Sequence, residues 1–236
     1  MREVARYPVC PTCIAKPEPL NAEHFCVSCR TAFQNSFPLD EHGRCALCRS
    51  GLRGFDAAYS FGFYEGVLRH LVHLYKYGRI RTLARPLTVL LARALPREEA
   101  FDAVVPVPLF WRRRLQRGFN QAELLARGIS QRTGIPMAKA LRRLRATSVQ
   151  AGLSNHLRRQ NVSRAFAARG VDGKRILLID DVMTTGATAT ACAIALKQAG
   201  AKRVSLLTVA RVDRRLDGRR FPAGPNQVGR TIPNAE

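Results

Sequence analysis

The sequence predicts an α/β protein with a largely parallel β-sheet and flanking helices, preceded by a small cysteine-rich module. Three observations predict this architecture. From about residue 55 onward, short apolar segments alternate with helical patterns, which is typical of βαβ units. Six of the seven cysteines precede residue 50, and all six occur as Cys-x-x-Cys pairs. Finally, 46% of the 236 residues are hydrophobic, so the chain can bury a core of its own.

The first elements of the α/β part are a strand and two helices. Residues 56–64 have the pattern of a short strand followed by a turn. Residues 65–77 place apolar side chains at helical spacing and end at Gly78, so they predict a helix. A second helix is predicted over residues 82–95, where Pro86 suits the first turn.

The middle of the chain continues the alternation. Residues 103–107 form a short apolar strand bounded by prolines. Residues 120–133 are helical in pattern, and Gly134 is a stop signal. Residues 157–166 are rich in basic side chains and predict a short helix.

The last elements predict the centre of the sheet. Residues 175–179 are continuously apolar, as expected for a parallel strand that is covered on both faces. An alanine-rich helix follows over residues 187–199 and ends at Gly200, and residues 203–209 form a further strand.

These patterns divide the chain into three regions. Residues 1–54 form the cysteine-rich module, residues 55–211 form the α/β domain, and residues 212–236 form a basic tail with little to bury, which we expect to be disordered. The first ten residues contain no apolar signal region, and no uninterrupted apolar stretch approaches 18 residues. We therefore expect neither secretion nor a membrane span, and a cytoplasmic location.

The charge of the chain favours an anionic partner. Lys and Arg outnumber Asp and Glu by 39 to 17, which gives a formal net charge of +22. Residues 111–175 alone contain 16 basic residues and two acids, a local excess of +14. Such an excess is typical of proteins that bind nucleic acid or phosphorylated substrates, although a basic surface without any partner also explains it.

The segment 174–188 (Lys-Arg-Ile-Leu-Leu-Ile-Asp-Asp-Val-Met-Thr-Thr-Gly-Ala-Thr) predicts a site for a sugar phosphate. Asp180 and Asp181 follow an apolar strand, at the edge where open α/β sheets bind ligands. The chain then turns into a helix through small and hydroxyl residues, namely Thr184, Thr185, Gly186, Ala187 and Thr188. The carboxylates suit ribose hydroxyls, and the N–H groups of the turn suit a phosphate. Because no Gly-Lys-Ser/Thr sequence ends the turn, it is not a Walker loop.

Residues 176–188 resemble the phosphoribosyl-pyrophosphate motif of type I phosphoribosyltransferases. Three more segments make the resemblance specific: residues 74–78 (Leu-Tyr-Lys-Tyr-Gly), 105–108 (Val-Pro-Val-Pro) and 117–121 (Arg-Gly-Phe-Asn-Gln). Together with the cysteine pairs they resemble the ComF family over roughly residues 8–211. Members of that family are competence-associated proteins that place a zinc ribbon before a phosphoribosyltransferase-like domain.

The resemblance implies roles for individual residues. Asp180 and Asp181 would contact ribose hydroxyls, and the 184–188 turn would hold the 5′-phosphate. Val107 and Pro108 would lie beside the pyrophosphate, with Mg²⁺ bridging ligand oxygens.

Arg117 would lie in or near a mobile loop that closes on the ligand. Together with Arg112, Arg113 and Arg114 it suits a pyrophosphate group, and equally a nucleic-acid backbone. Lys76 has two interpretations, as a phosphate contact or as an ordinary lysine that closes an amphipathic helix. The basic residues Arg142, Arg143, Arg145, Arg158 and Arg159 suit either a binding surface or a solvated face.

The three cysteine pairs predict structural Zn²⁺. Twelve residues separate the first pair, Cys10 and Cys13, from the second, Cys26 and Cys29, and we expect these four thiolates to share one ion. Cys45 and Cys48 then form a third pair without a fourth, whereas ComF proteins often carry four pairs and two zinc ions.

Two alternatives remain open at this point. The third pair could recruit His42, or the second and third pairs could share the ion and leave the first pair free. A thioredoxin-like redox motif is a poorer explanation, because it uses a single pair at the start of a helix.

Two functions are consistent with the sequence. The first is an enzyme that transfers ribose 5-phosphate from phosphoribosyl pyrophosphate to an acceptor nitrogen, and no pattern identifies the acceptor. The second is a non-catalytic module that binds single-stranded DNA and competence proteins and uses the fold as a scaffold or ligand sensor. The sequence leaves open whether turnover occurs and whether the chain forms a homodimer.

Overall fold

The structure of the protein is a computed structural model. It describes residues 9–21, 23–33, 36, 39–50, 54–110, 115–144 and 165–212. The cysteine-rich part begins with helix α1 (Pro11–Ala15). An antiparallel pair follows, β1 (His24–Phe25) and β2 (Ala32–Phe33), and then the short helix α2 (Ala46–Arg49).

A four-stranded parallel sheet forms the centre of the α/β part. Its strands are β3 (Ala57–Phe63), β4 (Ala103–Pro106), β7 (Arg175–Met183) and β8 (Arg203–Arg211). Their order across the sheet is β3-β8-β7-β4, and each neighbouring pair is parallel. An antiparallel pair, β5 (Leu141–Arg143) and β6 (Phe166–Ala168), precedes β7. The sequence prediction of an α/β fold with a parallel sheet and flanking helices is therefore confirmed.

The helices cover both faces of this sheet. They are α3 (Gly66–Tyr77), α4 (Ala84–Arg93), α5 (Gln121–Thr133) and α6 (Ala187–Gln198), with a 3₁₀ turn at Arg81–Leu83 before α4. Helices α3, α4 and α5 share one hydrophobic core with the sheet. Helix α6, the β5–β6 pair and the cysteine-rich part share the other core.

Strand β7 is buried on both faces, and this explains the continuous run of apolar residues at 176–179. Leu177 and Ile179 are buried in the core with α3 to α5, whereas Ile176 and Leu178 are buried in the core with α6. Each such side chain contributes about 1.5–3 kcal/mol when it leaves water. Consecutive residues of a strand point to opposite faces, so a strand covered on both sides shows no polar alternation.

Most predicted elements are present, and the structure differs from the prediction at two of them. Strand β7 continues to Met183, because its backbone stays paired with β8 through Arg211, so both aspartates lie within the strand. Phe166 begins a strand rather than ending a helix, since it pairs with Arg143. The remainder of the predicted 157–166 helix and the tail from residue 213 lie outside the described residues. Across the part of the chain that the structure describes, no helix has the length and apolarity that a bilayer crossing requires.

Candidate functional site

The two aspartates and the 184–188 loop lie together at the carboxyl edge of the sheet. Asp181 is buried and Asp180 is half-buried near the end of β7. Gly186 has a φ of 77°, a left-handed conformation that glycine adopts without strain, and it starts α6 as the N-cap residue. A cavity of about 50 Å³ is lined by Asp180, Thr208 and this loop. Its size suits one small group, and the N–H groups at the start of a helix favour an anion.

Lys76 in the last turn of α3 forms an ion pair with Asp181 near the end of β7. Its Nζ lies 2.9 Å from Oδ1 of Asp181, and the two side chains are only 16% and 10% exposed. Burial lowers the pKa of Lys76. The charge of Asp181, the hydrogen bond to Asp181 and the charge of Asp180 outweigh this effect, so the pKa of Lys76 is raised overall. The lysine is therefore held as a cation beside the carboxylates.

Asp180 has an unusual protonation equilibrium. Burial, together with the charge of Asp181, raises the pKa of Asp180 to about 7, although Lys76 acts in the opposite direction. A carboxyl in this range can either donate or accept a hydrogen bond near neutral pH. Such perturbed groups are typical of functional sites, where neighbouring charges are arranged for a ligand rather than for stability.

The motif at residues 74–78 contacts the motif at residues 117–121. The rings of Tyr75 and Phe119 have centroids 5.3 Å apart, and the Tyr75 hydroxyl donates to the backbone oxygen of Gln121 at 2.9 Å. The guanidinium of Arg117 lies 5.1 Å from the centre of the Tyr77 ring. Two segments that are distant in the sequence are therefore packed together. Lys76, in the first of them, contacts Asp181.

Asn120 joins this pair of motifs to the residues 105–108. Its Oδ1 accepts a hydrogen bond from the Ala122 N–H at 3.1 Å and caps α5, while its Nδ2 donates to the Val107 oxygen at 3.1 Å. The N–H of Val107 donates in turn to the Ile179 oxygen at 2.9 Å, and Pro108 follows, half-buried. Within the described part of the chain, Nε2 of the buried Gln121 lacks a hydrogen-bond partner, which a ligand acceptor would satisfy.

The structure thus brings most of the predicted ligand residues to one edge of the sheet. The predicted basic residues divide differently. Arg112, Arg113, Arg114, Arg145, Arg158 and Arg159 lie outside the described residues. Arg142 is exposed on β5, and the guanidinium of Arg143 lies 5.2 Å from the centre of the Phe166 ring.

Four cysteines form a second candidate site in the cysteine-rich part. The sulfurs of Cys26, Cys29, Cys45 and Cys48 all lie within 4.8 Å of one another, and Sγ of Cys29 is 3.7 Å from Sγ of Cys45. Four sulfurs around one Zn²⁺ at about 2.3 Å would lie roughly 3.8 Å apart, so the cluster has the dimensions of a closed zinc site. Hydrogen bonds from Cys26 and Cys29 raise the pKa values of the Cys45 and Cys48 thiols. A bound cation such as Zn²⁺ would stabilise the thiolate forms that are otherwise disfavoured at Cys45 and Cys48.

The expected pairing of Cys10 and Cys13 with Cys26 and Cys29 is wrong, and the alternative that joins the second and third pairs is the one found. Cys10 is the N-cap residue of α1 and Cys13 lies in the first turn of that helix, where its N–H donates to Sγ of Cys10 at 3.3 Å. They lie outside the four-cysteine cluster.

The backbone explains why the second and third pairs meet. The turn after β1 hydrogen-bonds to the segment before α2, through Val27 N–H to the Gly43 oxygen at 2.9 Å, and Cys45 N–H donates to Sγ of Cys26 at 3.3 Å. His42 is 66% exposed beside Glu41 and is not part of the cluster. The spacing Cys-x₂-Cys-x₁₅-Cys-x₂-Cys of these four residues is itself a zinc pattern, a signal that favours this cluster but does not by itself exclude the pairing of the first two pairs.

Arg211 connects the cluster to the sheet, and sequence analysis did not identify it. It is only 2% exposed at the end of β8. Its guanidinium donates to the Cys29 oxygen at 2.7 Å and to Oγ1 of Thr31 at 2.8 Å. Oγ1 of Thr31 lies 2.9 Å from Sγ of Cys29. Because Arg211 also pairs with Met183 in the sheet, the cluster and the 184–188 loop are attached to the same short piece of backbone.

Known proteins are similar to this chain in sequence and in structure. Residues 115–231 match the phosphoribosyl transferase domain family. The chain is 33% identical over 178 residues to DNA utilization protein YhgH of Escherichia coli K12, which covers 72% of this chain and 78% of the relative. It is 32% identical over 179 residues to competence protein F of Haemophilus influenzae, covering 71% and 78%. Among solved structures, the allosteric regulatory enzyme of purine biosynthesis is 28% identical over 53% of this chain and 25% of its own, with a TM-score of 0.39.

Proposed function

Because this chain belongs to the ComF family of competence protein F and DNA utilization protein YhgH, and contains a phosphoribosyl transferase domain, we propose that it binds phosphoribosyl pyrophosphate together with Mg²⁺ at the carboxyl edge of its sheet. The observation that carries the proposal is the position of Asp180 and Asp181 directly before a loop that starts α6. Carboxylates accept hydrogen bonds from ribose hydroxyls, and the loop presents N–H groups and hydroxyls to a phosphate.

Each predicted residue has a role in this proposal. Asp180 and Asp181 bind the ribose hydroxyls, and Thr184, Thr185, Gly186, Ala187 and Thr188 hold the 5′-phosphate. Lys76 neutralises Asp181 and keeps the pair of carboxylates compatible with an anionic ligand. Val107, Pro108 and Arg117 would lie on the pyrophosphate side. The hydrogen bond from Asn120 to the Val107 oxygen and the contact of Arg117 with the Tyr77 ring support this role.

The residues at this edge fit Mg²⁺, which prefers oxygen ligands and keeps several of its waters. Asp180 and Asp181 are the residues that would hold it. When bound, the ion would neutralise the charge of the pyrophosphate. The chain itself supplies orientation and charge: Lys76 and Arg117 are fixed cations, and the 184–188 loop holds the 5′-phosphate.

The same site would support transfer of ribose 5-phosphate to an acceptor nitrogen with release of pyrophosphate. Such a reaction needs mainly positioning and stabilisation of charge. The ligand proposal does not depend on this reaction, because Asp180, Asp181 and the 184–188 loop would bind the sugar phosphate with or without an acceptor.

Calorimetry tests the ligand assignment. The protein is titrated with phosphoribosyl pyrophosphate in the presence of Mg²⁺, beside a double variant, Asp180→Asn with Asp181→Asn. We expect binding by the natural chain and a loss of at least about 100-fold in the variant, since each lost charged hydrogen bond costs roughly 1.5–3 kcal/mol. The matched control is Asp172→Asn, an exposed acid at the other end of β7, which should bind as the natural chain does. Absence of binding by the natural chain, or unchanged binding by the double variant, would overturn the proposal.

A second function, binding of single-stranded DNA, is favoured by the excess of +14 over residues 111–175. The relatives are named for competence and for DNA utilization. The affinity for a labelled single-stranded oligonucleotide should fall steeply with salt, with a slope of about −0.7 per phosphate contacted. Changing Arg112, Arg113 and Arg114 to Ala should reduce the magnitude of that slope by about 2. A flat salt response would contradict this function.

A further inference from the structure

A groove of about 580 Å³ lies between α4 and α5, and it shares no residue with the two sites described above. Its volume is within the range of about 300–1,000 Å³ that is typical of ligand sites. One stripe of α5 forms a wall through Leu124, Arg127 and Gln131, which are spaced to lie on one side of a helix. The wall from α4 includes Val89, which is 43% exposed.

The floor of the groove is formed where the two helices touch. A Cβ atom placed on Gly128 would lie 2.5 Å from Oγ1 of Thr88, so only glycine permits this approach. The contact leaves Val89 and Leu124 beside an open channel. Val9 and Ile14 of the cysteine-rich part add further apolar surface. The groove therefore offers an apolar floor that the described part of the chain leaves exposed.

The rim of the groove is positively charged. Arg85 lies on the α4 side, and Arg127 and Arg132 lie on the α5 side. No acidic residue is found among the described residues that line it. Arg127 and Arg132 are separated by about 7.5 Å along the helix axis, from a rise of about 1.5 Å per residue. Cations distributed on both sides and along the groove suit carboxylates that are spaced along a chain, rather than a single head group.

We propose that this groove binds an acidic peptide segment of a partner protein, with apolar side chains of that segment against Val89 and Leu124 and its carboxylates against Arg127 and Arg132. This is the helix-in-groove mode, in which apolar anchors give affinity and charges give register. Single-stranded nucleic acid matches the groove less well, because bases bind by stacking on aromatic side chains and no described lining residue is aromatic. The proposal is independent of the sugar-phosphate site.

Fluorescence anisotropy tests the proposal with the full chain. The probe is a fluorescein-labelled 12-residue peptide with Leu or Phe at positions i, i+3, i+4 and i+7 and Asp or Glu elsewhere, at about 0.15 M salt, where distant charges are screened. We expect binding by the natural chain and at least about a tenfold weakening by Arg127→Glu with Arg132→Glu, since 1.4 kcal/mol corresponds to a factor of ten. Val89→Asp should weaken binding similarly, because it places a charge on the apolar wall from α4.

Matched controls separate the groove from the overall charge. Arg69→Glu with Arg142→Glu makes the same change in net charge at exposed positions outside the groove, and should change affinity by less than about twofold. A probe with the same composition in scrambled order should bind about tenfold more weakly. Equal losses in both double variants, or an unchanged affinity in Val89→Asp, would overturn the proposal.

Two further measurements exclude other occupants. Sedimentation should show no association that depends on Val89, because such association would make a second copy of this chain the occupant. Deletion of residues 1–8 should leave the affinity for the probe unchanged. If the probe binds only after that deletion, residues 1–8 are the occupant of the groove and the proposal fails. Thermal unfolding of each variant confirms folding, and the two arginine positions are exposed, so their replacement leaves the core intact.

Discussion

Lys76 and Asp181 form an ion pair that joins the last turn of α3 to the end of β7, with Nζ 2.9 Å from Oδ1. Both side chains are largely buried, so the pair has lost most of its hydration. Removing two charges from water is costly, and their attraction repays this only when the geometry is good. The pair therefore serves to keep a lysine next to two carboxylates more than to stabilise the fold.

Replacing Lys76 by Met tests the importance of this cation. Asp180 and Asp181 would then repel each other without compensation, and the pKa of Asp180 should rise further because Lys76 lowers it in the natural chain. We expect a loss of about 3 kcal/mol in the free energy of unfolding at pH 7, as found when one partner of a buried pair is removed. Urea denaturation measures the change.

Lys139→Met is the matched control for Lys76→Met. Its Nζ lies 3.5 Å from Oε1 of Glu123, but the Lys139 side chain is 75% exposed. An exposed pair contributes roughly 0–1 kcal/mol, so the control should be nearly as stable as the natural chain. Equal losses in both variants would show that burial of the Lys76 pair has no energetic importance.

The raised pKa of Asp180 predicts that the folded state loses stability as pH rises. The carboxyl titrates at about 7 in the folded chain and at about 4 when unfolded, so the folded state binds its proton more tightly. This contribution is fully present below about pH 4 and is lost as pH rises to about 7. Asp180→Asn should remove the loss, so the variant should be the more stable protein at pH 7.5 and show a flatter pH profile. Urea unfolding between pH 4 and 8 measures it.

Asp102 provides a control of opposite sign. The hydrogen bonds from Arg175 hold the pKa of Asp102 well below its usual range. Its stabilisation is therefore present above about pH 4 and is lost as pH falls. Asp102→Asn should destabilise the protein at neutral pH and have less effect in acid. A profile of Asp180→Asn that followed Asp102→Asn would contradict the assignment at Asp180.

The four-cysteine cluster predicts which thiols retain zinc. One ion per chain is expected by the four-ligand rule. Cys45→Ser should abolish retention because it removes a buried ligand of the cluster, whereas Cys10→Ser with Cys13→Ser should leave one ion bound. Elemental analysis after dialysis against a chelator measures the content. Zinc loss in the Cys10 and Cys13 variant, with retention in Cys45→Ser, would instead show that the first and second cysteine pairs hold the ion.

The sequence predicts the strand and loop that form the sugar-phosphate site better than it predicts the neighbouring elements. Strand β7 is recognisable because burial on both faces requires a run of apolar residues. The loop after it is recognisable because it consists of small and hydroxyl residues that suit a phosphate. The β5–β6 pair was missed because Arg142 and Arg143 resemble a basic surface stretch, while the backbone pairing that makes them a strand comes from Ala167 and Phe166.

The cysteine pairing could not be decided by counting residues between the pairs. It depends on which turns meet, and that is set by backbone contacts such as the bridge between Leu39 and Cys45. Arg211 was missed for a related reason: a single arginine at the end of a strand carries no pattern. Its role follows only from the packing of the cysteine-rich part against the sheet.

Arg211 should therefore control how firmly the cysteine cluster retains its metal. Its fork of donors holds the Cys29 oxygen and Oγ1 of Thr31, and lysine keeps the charge but cannot reproduce that fork. Groups that support metal ligands typically change affinity by 10- to 100-fold, so Arg211→Lys should lose zinc to a competing chelator at about tenfold lower chelator concentration. Arg203→Lys, on the same strand but paired with Glu99, is the control and should retain zinc normally. If both variants release zinc alike, the effect comes from the strand in general, and the hydrogen bonds of Arg211 to the cluster are not its cause.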